Sequence, residues 1–248
     1  MKVALVEVPY YFGRERYSMG AGPRRYINAG AVRELERAGF EVRLDRVGIR
    51  PIYDDATAIS KVNSLVAGTV SMAMDAGFFP LVLAGLCNTS LGVLGGVGGN
   101  ATGIIWFDAH GDFNTPQTSK SGFLDGMALA IATGRCYAEL RERAGQAQPV
   151  AESRTLLVGP RDLDPGELDN LSASEVTVIE YSEVQESGLA SRLLPALDVL
   201  QSRTREIYLH LDVDVLDHAE APANKYSTPG GLPVLEVEAA IREIARRF

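Results

Sequence analysis

Asp108, His110 and Asp112 form an Asp-x-His-x-Asp run directly behind the apolar stretch Gly103-Ile104-Ile105-Trp106-Phe107. Alternate residues of an extended segment share a face, so three ligand-type side chains can point the same way at the carboxyl end of a strand. Open α/β sheets place their sites at such strand ends. Asp212 and Asp214 end a second apolar stretch, Ile207–Leu211, in the same manner, and Asp217 follows. The two strand ends thus offer four carboxylates and one imidazole. Carboxylates so concentrated repel one another by several kcal/mol at short range unless a cation neutralises them. Oxygen donors with one imidazole suit Mn²⁺ or a similar hard divalent ion. Taken singly, either run is an ordinary turn or helix-capping signature; the pairing of both with a histidine points to a two-metal site.

Short apolar runs that end in turn residues and alternate with helix-like stretches must hold these residues in place. The strand candidates are Lys2–Val8, Glu41–Leu44, Phe79–Ala84, Thr102–Phe107, Thr155–Val158, Val176–Glu180 and Ile207–Val213. Helical spacing covers Ala29–Ala38, Ala56–Ala76, Gly126–Thr133, Glu183–Leu200 and Leu235–Arg247. Alternating β and α units predict a three-layer α/β/α fold with a central, mainly parallel sheet. No repeat, low-complexity tract or Pro/Ser-rich linker interrupts the pattern, so residues 1–248 are expected to form a single domain. Glycines at 85, 92, 95, 96, 98 and 99 cluster beyond an apolar run, as backbone held near a ligand or tight helix packing would require.

Composition narrows the function. A chain of 248 residues with 46% hydrophobic and 23% charged residues has ordinary globular usage. The net charge of -8 argues against a nucleic-acid surface and suits a small cationic substrate. No apolar run approaches the length of a membrane span, the N-terminal run is too short for a signal peptide, and two cysteines are too few for a disulfide framework. A soluble cytoplasmic protein is expected.

The segment Trp106-Phe107-Asp108-Ala109-His110-Gly111-Asp112-Phe113-Asn114-Thr115-Pro116, with Ser121-Gly122 and Gly126-Met127, resembles the central motif of the arginase and agmatinase ureohydrolases. Leu211-Asp212-Val213-Asp214-Val215-Leu216-Asp217, with Pro222-Ala223 and Thr228-Pro229-Gly230-Gly231-Leu232, resembles their other metal motif. Gly20-Ala21-Gly22-Pro23 and Gly159-Pro160-Arg161-Asp162-Leu163-Asp164-Pro165-Gly166-Glu167 are further matches, and the resemblance spans almost the whole chain. It implies an arginase-like fold in which Asp108 and Asp212 bridge two Mn²⁺ ions, His110 and Asp214 complete one, and Asp112 helps hold the other. A hydroxide between the ions would attack the guanidinium carbon and release urea or an analogue. Asn114, Ser119 and Ser121 fall where arginases bind the α-carboxylate, and Asp164 and Glu167 match the α-amino side. The resemblance thus implies a guanidino or amidino amino acid such as arginine or hydroxyarginine, and assembly as a homo-oligomer, a trimer or hexamer.

Three departures accompany the match. Cys87, in Leu86-Cys87-Asn88-Thr89-Ser90, falls where the remaining metal-binding histidine belongs. A thiolate is a poor donor for Mn²⁺, so the ion on that side is expected to bind weakly, to be absent or to be a softer metal; alternatively Cys87 is a packing residue. His210, at even spacing from Asp212 and Asp214, either supplies a compensating imidazole or packs behind the site. Asp125 stands where the family has a histidine that assists proton transfer; it either holds the cationic substrate tail or caps the helix that follows. The family also places a glutamate-bearing strand after the last helix, which Glu236, Glu238 and Glu243 do not match. Either this chain ends short of that strand, which we favour, or guanidinium recognition is rebuilt. Together these departures leave a second reading beside the hydrolase, a catalytically impaired binding or regulatory relative with reduced metal occupancy.

Overall fold

The structure is a computed structural model that describes residues 1–98, 102–223, 226 and 228–248. The chain separates into two compact units, Met1–Gly99 with Tyr137–Pro149, and Asn100–Cys136 with Val150–Phe248.

In the first unit, β1 (Lys2–Val8) lies between β4 (Glu41–Arg46) and β5 (Phe79–Ala84), parallel to both. A small antiparallel ribbon, β2 (Tyr10–Tyr11) with β3 (Arg14–Glu15), follows β1. As the central strand, β1 is buried from Val3 to Val8, the near-continuous apolar run that a covered parallel sheet requires. Within that run the one charge, Glu7, is fully buried and accepts a hydrogen bond from Arg24 at 2.5 Å. The helix Asp55–Asp75 starts where the Asp54 side chain accepts the Thr57 N–H at 2.8 Å. It buries a stripe of Ala58, Ile59, Val62, Val66, Val70 and Ala73. The glycines at 92 and 96 lie on the helix Ser90–Val97, and a Cβ on either would come within 2.6 Å of the Asn63 or Ala67 carbonyl oxygen. That part of the glycine cluster therefore serves close helix packing. Asn63 Oδ1 also accepts the Gly92 N–H at 2.8 Å.

In the second unit, β6 (Gly103–Phe107), β7 (Thr155–Val158), β8 (Thr177–Ile179) and β9 (Ile207–Leu211) form a parallel sheet in the order β8-β7-β6-β9. Ile105, Phe107, Leu156 and Val158 share a core with Leu193, Leu197 and Leu200 of the helix Leu189–Arg203 and with Val237, Ala240 and Ile244 of the helix Val234–Arg247. The strand period of two then puts Ile104 and Trp106 on the opposite face.

The mixed α/β class with parallel sheets matches expectation, and the differences are local. The first expected helix, Ala29–Ala38, is found as Ala31–Arg37, and Gly30 (φ 106°) separates it from an additional helix, Gly22–Ala29; the segment around Glu183–Leu200 divides at Gly188 (φ 81°). Both glycines take up backbone angles that other residues avoid. The apolar helix Ser90–Val97 and the short helices Ala138–Arg143 and Pro165–Ser172 are additional to the expected set. Among the described residues no helix is long and apolar enough to cross a membrane.

Candidate metal centre

Strand geometry stops before the acidic residues begin. The last ladder bonds run from Asp108 N–H to Val158 O at 3.1 Å and from Asp212 N–H to Phe107 O at 2.9 Å. Beyond them Asp112 adopts φ 47°, a left-handed angle unusual for a residue other than glycine. The alternating extended arrangement expected for Asp108, His110 and Asp112 is thus replaced by a tight turn. Likewise Asp212 and Asp214 do not extend β9: the Asp212 carboxylate accepts the Asp214 N–H at 2.9 Å and opens the 3-10 turn Val213–Val215.

The turns nevertheless converge. Asp108, buried, accepts the His110 backbone N–H at 2.8 Å through Oδ1 and the Trp106 indole N–H at 3.0 Å through Oδ2. His110 Nδ1 lies 3.2 Å from Asp108 Oδ1 and 3.5 Å from Asp214 Oδ2. Asp214 Oδ1 accepts the Ala109 N–H at 3.3 Å. One ligand atom from each of Asp108, His110 and Asp214 lies within 4.8 Å of the others.

The electrostatics fit a cation. Asp112 Oδ2 is buried and has no hydrogen-bond partner among the described residues. Burial, then the charges of Asp108, Asp125, Asp212 and Glu167, hold the Asp112 carboxyl well above the usual range. For His110, burial alone favours the neutral ring, but the hydrogen bond to Asp108 and the charges of Asp108, Asp214 and Asp212 outweigh it and raise the imidazole to about 9. The cluster retains protons where a divalent ion would otherwise supply positive charge.

This proton retention has a measurable sign. Below about pH 9 the metal-free protein carries a proton on His110 that an incoming ion must displace. Metal affinity is therefore expected to rise with pH up to that point, by as much as about tenfold per unit from this group. Calorimetric titration with Mn²⁺ in buffers of different ionisation heat should show proton release. An affinity unchanged between pH 7 and pH 9 would contradict it.

The remaining predicted residues occupy distinct positions. Asn114, buried, donates to Asp164 Oδ2 at 3.3 Å and accepts from the Thr118 hydroxyl at 2.9 Å. Asp164 and Glu167 belong to the start of the helix Pro165–Ser172. Glu167 is buried; its oxygens accept the Phe113 N–H at 2.8 Å and the Asp164 N–H at 3.3 Å. Burial drives its carboxyl up to about 7, against those two hydrogen bonds. Ser119 and Ser121 accept backbone N–H groups from Gly122 and Phe123 at 3.1 and 3.2 Å. Asp125 is buried inside the 3-10 turn Leu124–Met127, whose preceding cap is Phe123, so the expected capping position is not the one it occupies. Cys87, in the first unit, is half-buried at the start of the 3-10 turn Cys87–Thr89 after β5.

Two further residues support the centre without having been singled out. Trp106 fixes Asp108 through its indole. Arg161, named only as part of a motif, donates to the backbone oxygens of Asp214 (2.7 Å), Thr228 (3.1 Å), Val215 and Pro229 (both 3.3 Å), pinning the Asp212–Asp214 turn from behind. An arginine within a glycine- and proline-rich loop was the available signal, but four distant carbonyls are not visible in local sequence.

A sequence profile of the Arginase family matches residues 1–247. The chain belongs to the arginase family. It is 30% identical over 258 residues to the arginase of Bacillus caldovelox, covering 98% of this chain and 86% of that enzyme. It is 32% identical over 254 residues to the arginase of Brevibacillus brevis, covering 98% and 85%. The crystal structure of arginase from Bacillus cereus superposes with a TM-score of 0.91 at 31% identity, over 99% of this chain and 86% of that one. As an arginase-family protein the chain is a hydrolase of C–N bonds in linear amidines, and the clustered carboxylates and imidazole are its candidate metal-binding groups.

Proposed function

We propose that this arginase-family chain hydrolyses a guanidino or amidino amino acid, arginine or a close analogue, at a binuclear Mn²⁺ centre. Asp108 and Asp212 would be shared between the two ions, His110 and Asp214 would serve one, and Asp112 the other. The observation that carries this reading is the buried, unpartnered Asp112 oxygen beside three further carboxylates and an imidazole held in orientation by Trp106, Asp214 and backbone N–H groups. Bound divalent ions would supply an acidified water and Lewis-acid stabilisation of the charge that develops at the amidino carbon.

The chain's own residues would do the rest. Asp108 and Asp214 both lie against Nδ1 of His110, which orients the ring toward the carboxylates. The Asn114–Asp164 hydrogen bond joins the loop after β6 to the start of the helix Pro165–Ser172. The resemblance assigns substrate α-carboxylate and α-amino binding to these two segments. Ser119 and Ser121 lie on the same loop, and Glu167 steadies it through Phe113. Asp125, buried and close enough for its charge to raise the Asp112 carboxyl, would suit a cationic substrate tail. The family match runs through both compact units, which supports treating residues 1–248 as one ureohydrolase domain. By the same resemblance we place the protein in the cytoplasm as a trimer or hexamer.

Release of urea or its analogue from arginine, hydroxyarginine, agmatine and formiminoglutamate, with and without added Mn²⁺, tests the assignment. Turnover of an amino-acid substrate that depends on the metal is expected. Stoichiometric binding without product would instead favour a binding protein, and no turnover of any compound would overturn the assignment.

A further inference from the structure

His210 faces the same side of the sheet as Trp106, its register partner across β6 and β9. The two rings stack at 3.6 Å with planes 12° apart. Tyr208, two residues earlier on that face, places its hydroxyl 3.0 Å from His210 Nδ1. The imidazole is thus held on one face by an indole and at one nitrogen by a phenol. Its other nitrogen, Nε2, is buried and has no hydrogen-bond partner among the described residues. A ring nitrogen of His210 and a carboxylate oxygen of Asp108 lie within 4.8 Å of each other.

A buried N–H without an acceptor costs about 1–3 kcal/mol. If Nδ1 carries the proton and donates to the Tyr208 oxygen, Nε2 instead presents a lone pair, which needs no acceptor. That arrangement, a ring nitrogen oriented through the hydrogen bond of the other, is how metal-binding histidines are usually held. Packing alone would account for the stack on Trp106, but not for a buried, unpartnered Nε2 on a ring that has a nitrogen within 4.8 Å of the Asp108 carboxylate.

We infer that His210 is a metal ligand of this centre, binding a divalent cation through Nε2 together with Asp108. The inference rests on the metal-dependent reading above and extends its donor set to a second imidazole beside His110.

The sequence holds three histidines, so coordinated imidazoles can be counted. In the proton NMR spectrum of the protein loaded with Co²⁺, each coordinated imidazole gives one strongly shifted, solvent-exchangeable N–H resonance. Two such resonances are expected in the unaltered protein, two in His218→Ala and one in His210→Ala. His210→Ala should also weaken Co²⁺ binding at one site by about 10-fold or more. A single resonance in the unaltered protein would overturn the inference even if His210→Ala does not fold, while leaving the metal centre standing. No Co²⁺ binding at all would overturn the metal centre and this inference together.

Discussion

Asp108→Ala is expected to abolish metal binding and hydrolysis together, with a loss of activity on the order of 10³-fold or more. Asp108 accepts from Trp106 and from the His110 backbone, and it lies against the His110 ring. Alanine removes a negative charge from the centre, strands the buried indole N–H and releases the imidazole. Asp108→Asn largely separates these effects, because it keeps the shape and one of the two oxygen acceptors while losing the charge, its amide nitrogen facing the Trp106 or the His110 N–H. If charge is what matters, Asn should fold with a stability loss of about 1–3 kcal/mol, the cost of one unpaired buried donor, yet bind metal as poorly as Ala. An Asn variant with parental metal affinity would contradict the role given to Asp108. Metal titration followed by circular dichroism distinguishes the outcomes.

Asp112→Asn should move stability and function in opposite directions. The Asp112 carboxyl titrates well above its ordinary value of 3.8, because it is buried and surrounded by Asp108, Asp125, Asp212 and Glu167. The metal-free native state therefore binds a proton there that the unfolded chain has released. Stability consequently falls as pH rises above about 4. Asparagine removes that penalty, so the metal-free variant should melt higher than the metal-free parent at neutral pH. A gain of even 1 kcal/mol corresponds to about 2–4 °C for a chain of this size. The same change deletes the orphaned oxygen a cation would use, so the rise in Tm that the parent shows on adding Mn²⁺ should shrink or vanish. A lower metal-free Tm, or an undiminished Mn²⁺ response, would show that Asp112 has another role.

What could be read from the sequence, and what could not, follows from the range of the interactions involved. The apolar runs of β6 and β9 and the acids behind them were legible because burial and charge are written residue by residue. The turn at Asp112 was not, since a left-handed angle at a residue other than glycine is imposed by its surroundings: Glu167 holds the adjacent Phe113 N–H from 54 positions away. Expecting alternation in an extended segment therefore rested on a geometry that the fold does not use, although Asp108, His110 and Asp214 do come together. Glycines 92 and 96 were readable only as a choice between ligand approach and packing, and the carbonyls of Asn63 and Ala67 decide for packing. Arg161 escaped notice because its partners are carbonyl oxygens, which no side-chain pattern records. His210 was visible as a spaced imidazole, yet its Nε2 acquired meaning only once Trp106 and Tyr208 were seen to fix the ring.

The central claim is that these carboxylates and imidazole exist to hold catalytic divalent ions. Its most direct test is to strip the purified protein with a chelator, titrate Mn²⁺ back, and record bound metal per chain alongside amidine hydrolysis. Saturation at two ions per chain is predicted, with hydrolysis appearing as they bind and both lost in Asp108→Ala. A protein that takes up no Mn²⁺, or that hydrolyses its substrate equally well after stripping, would contradict the account.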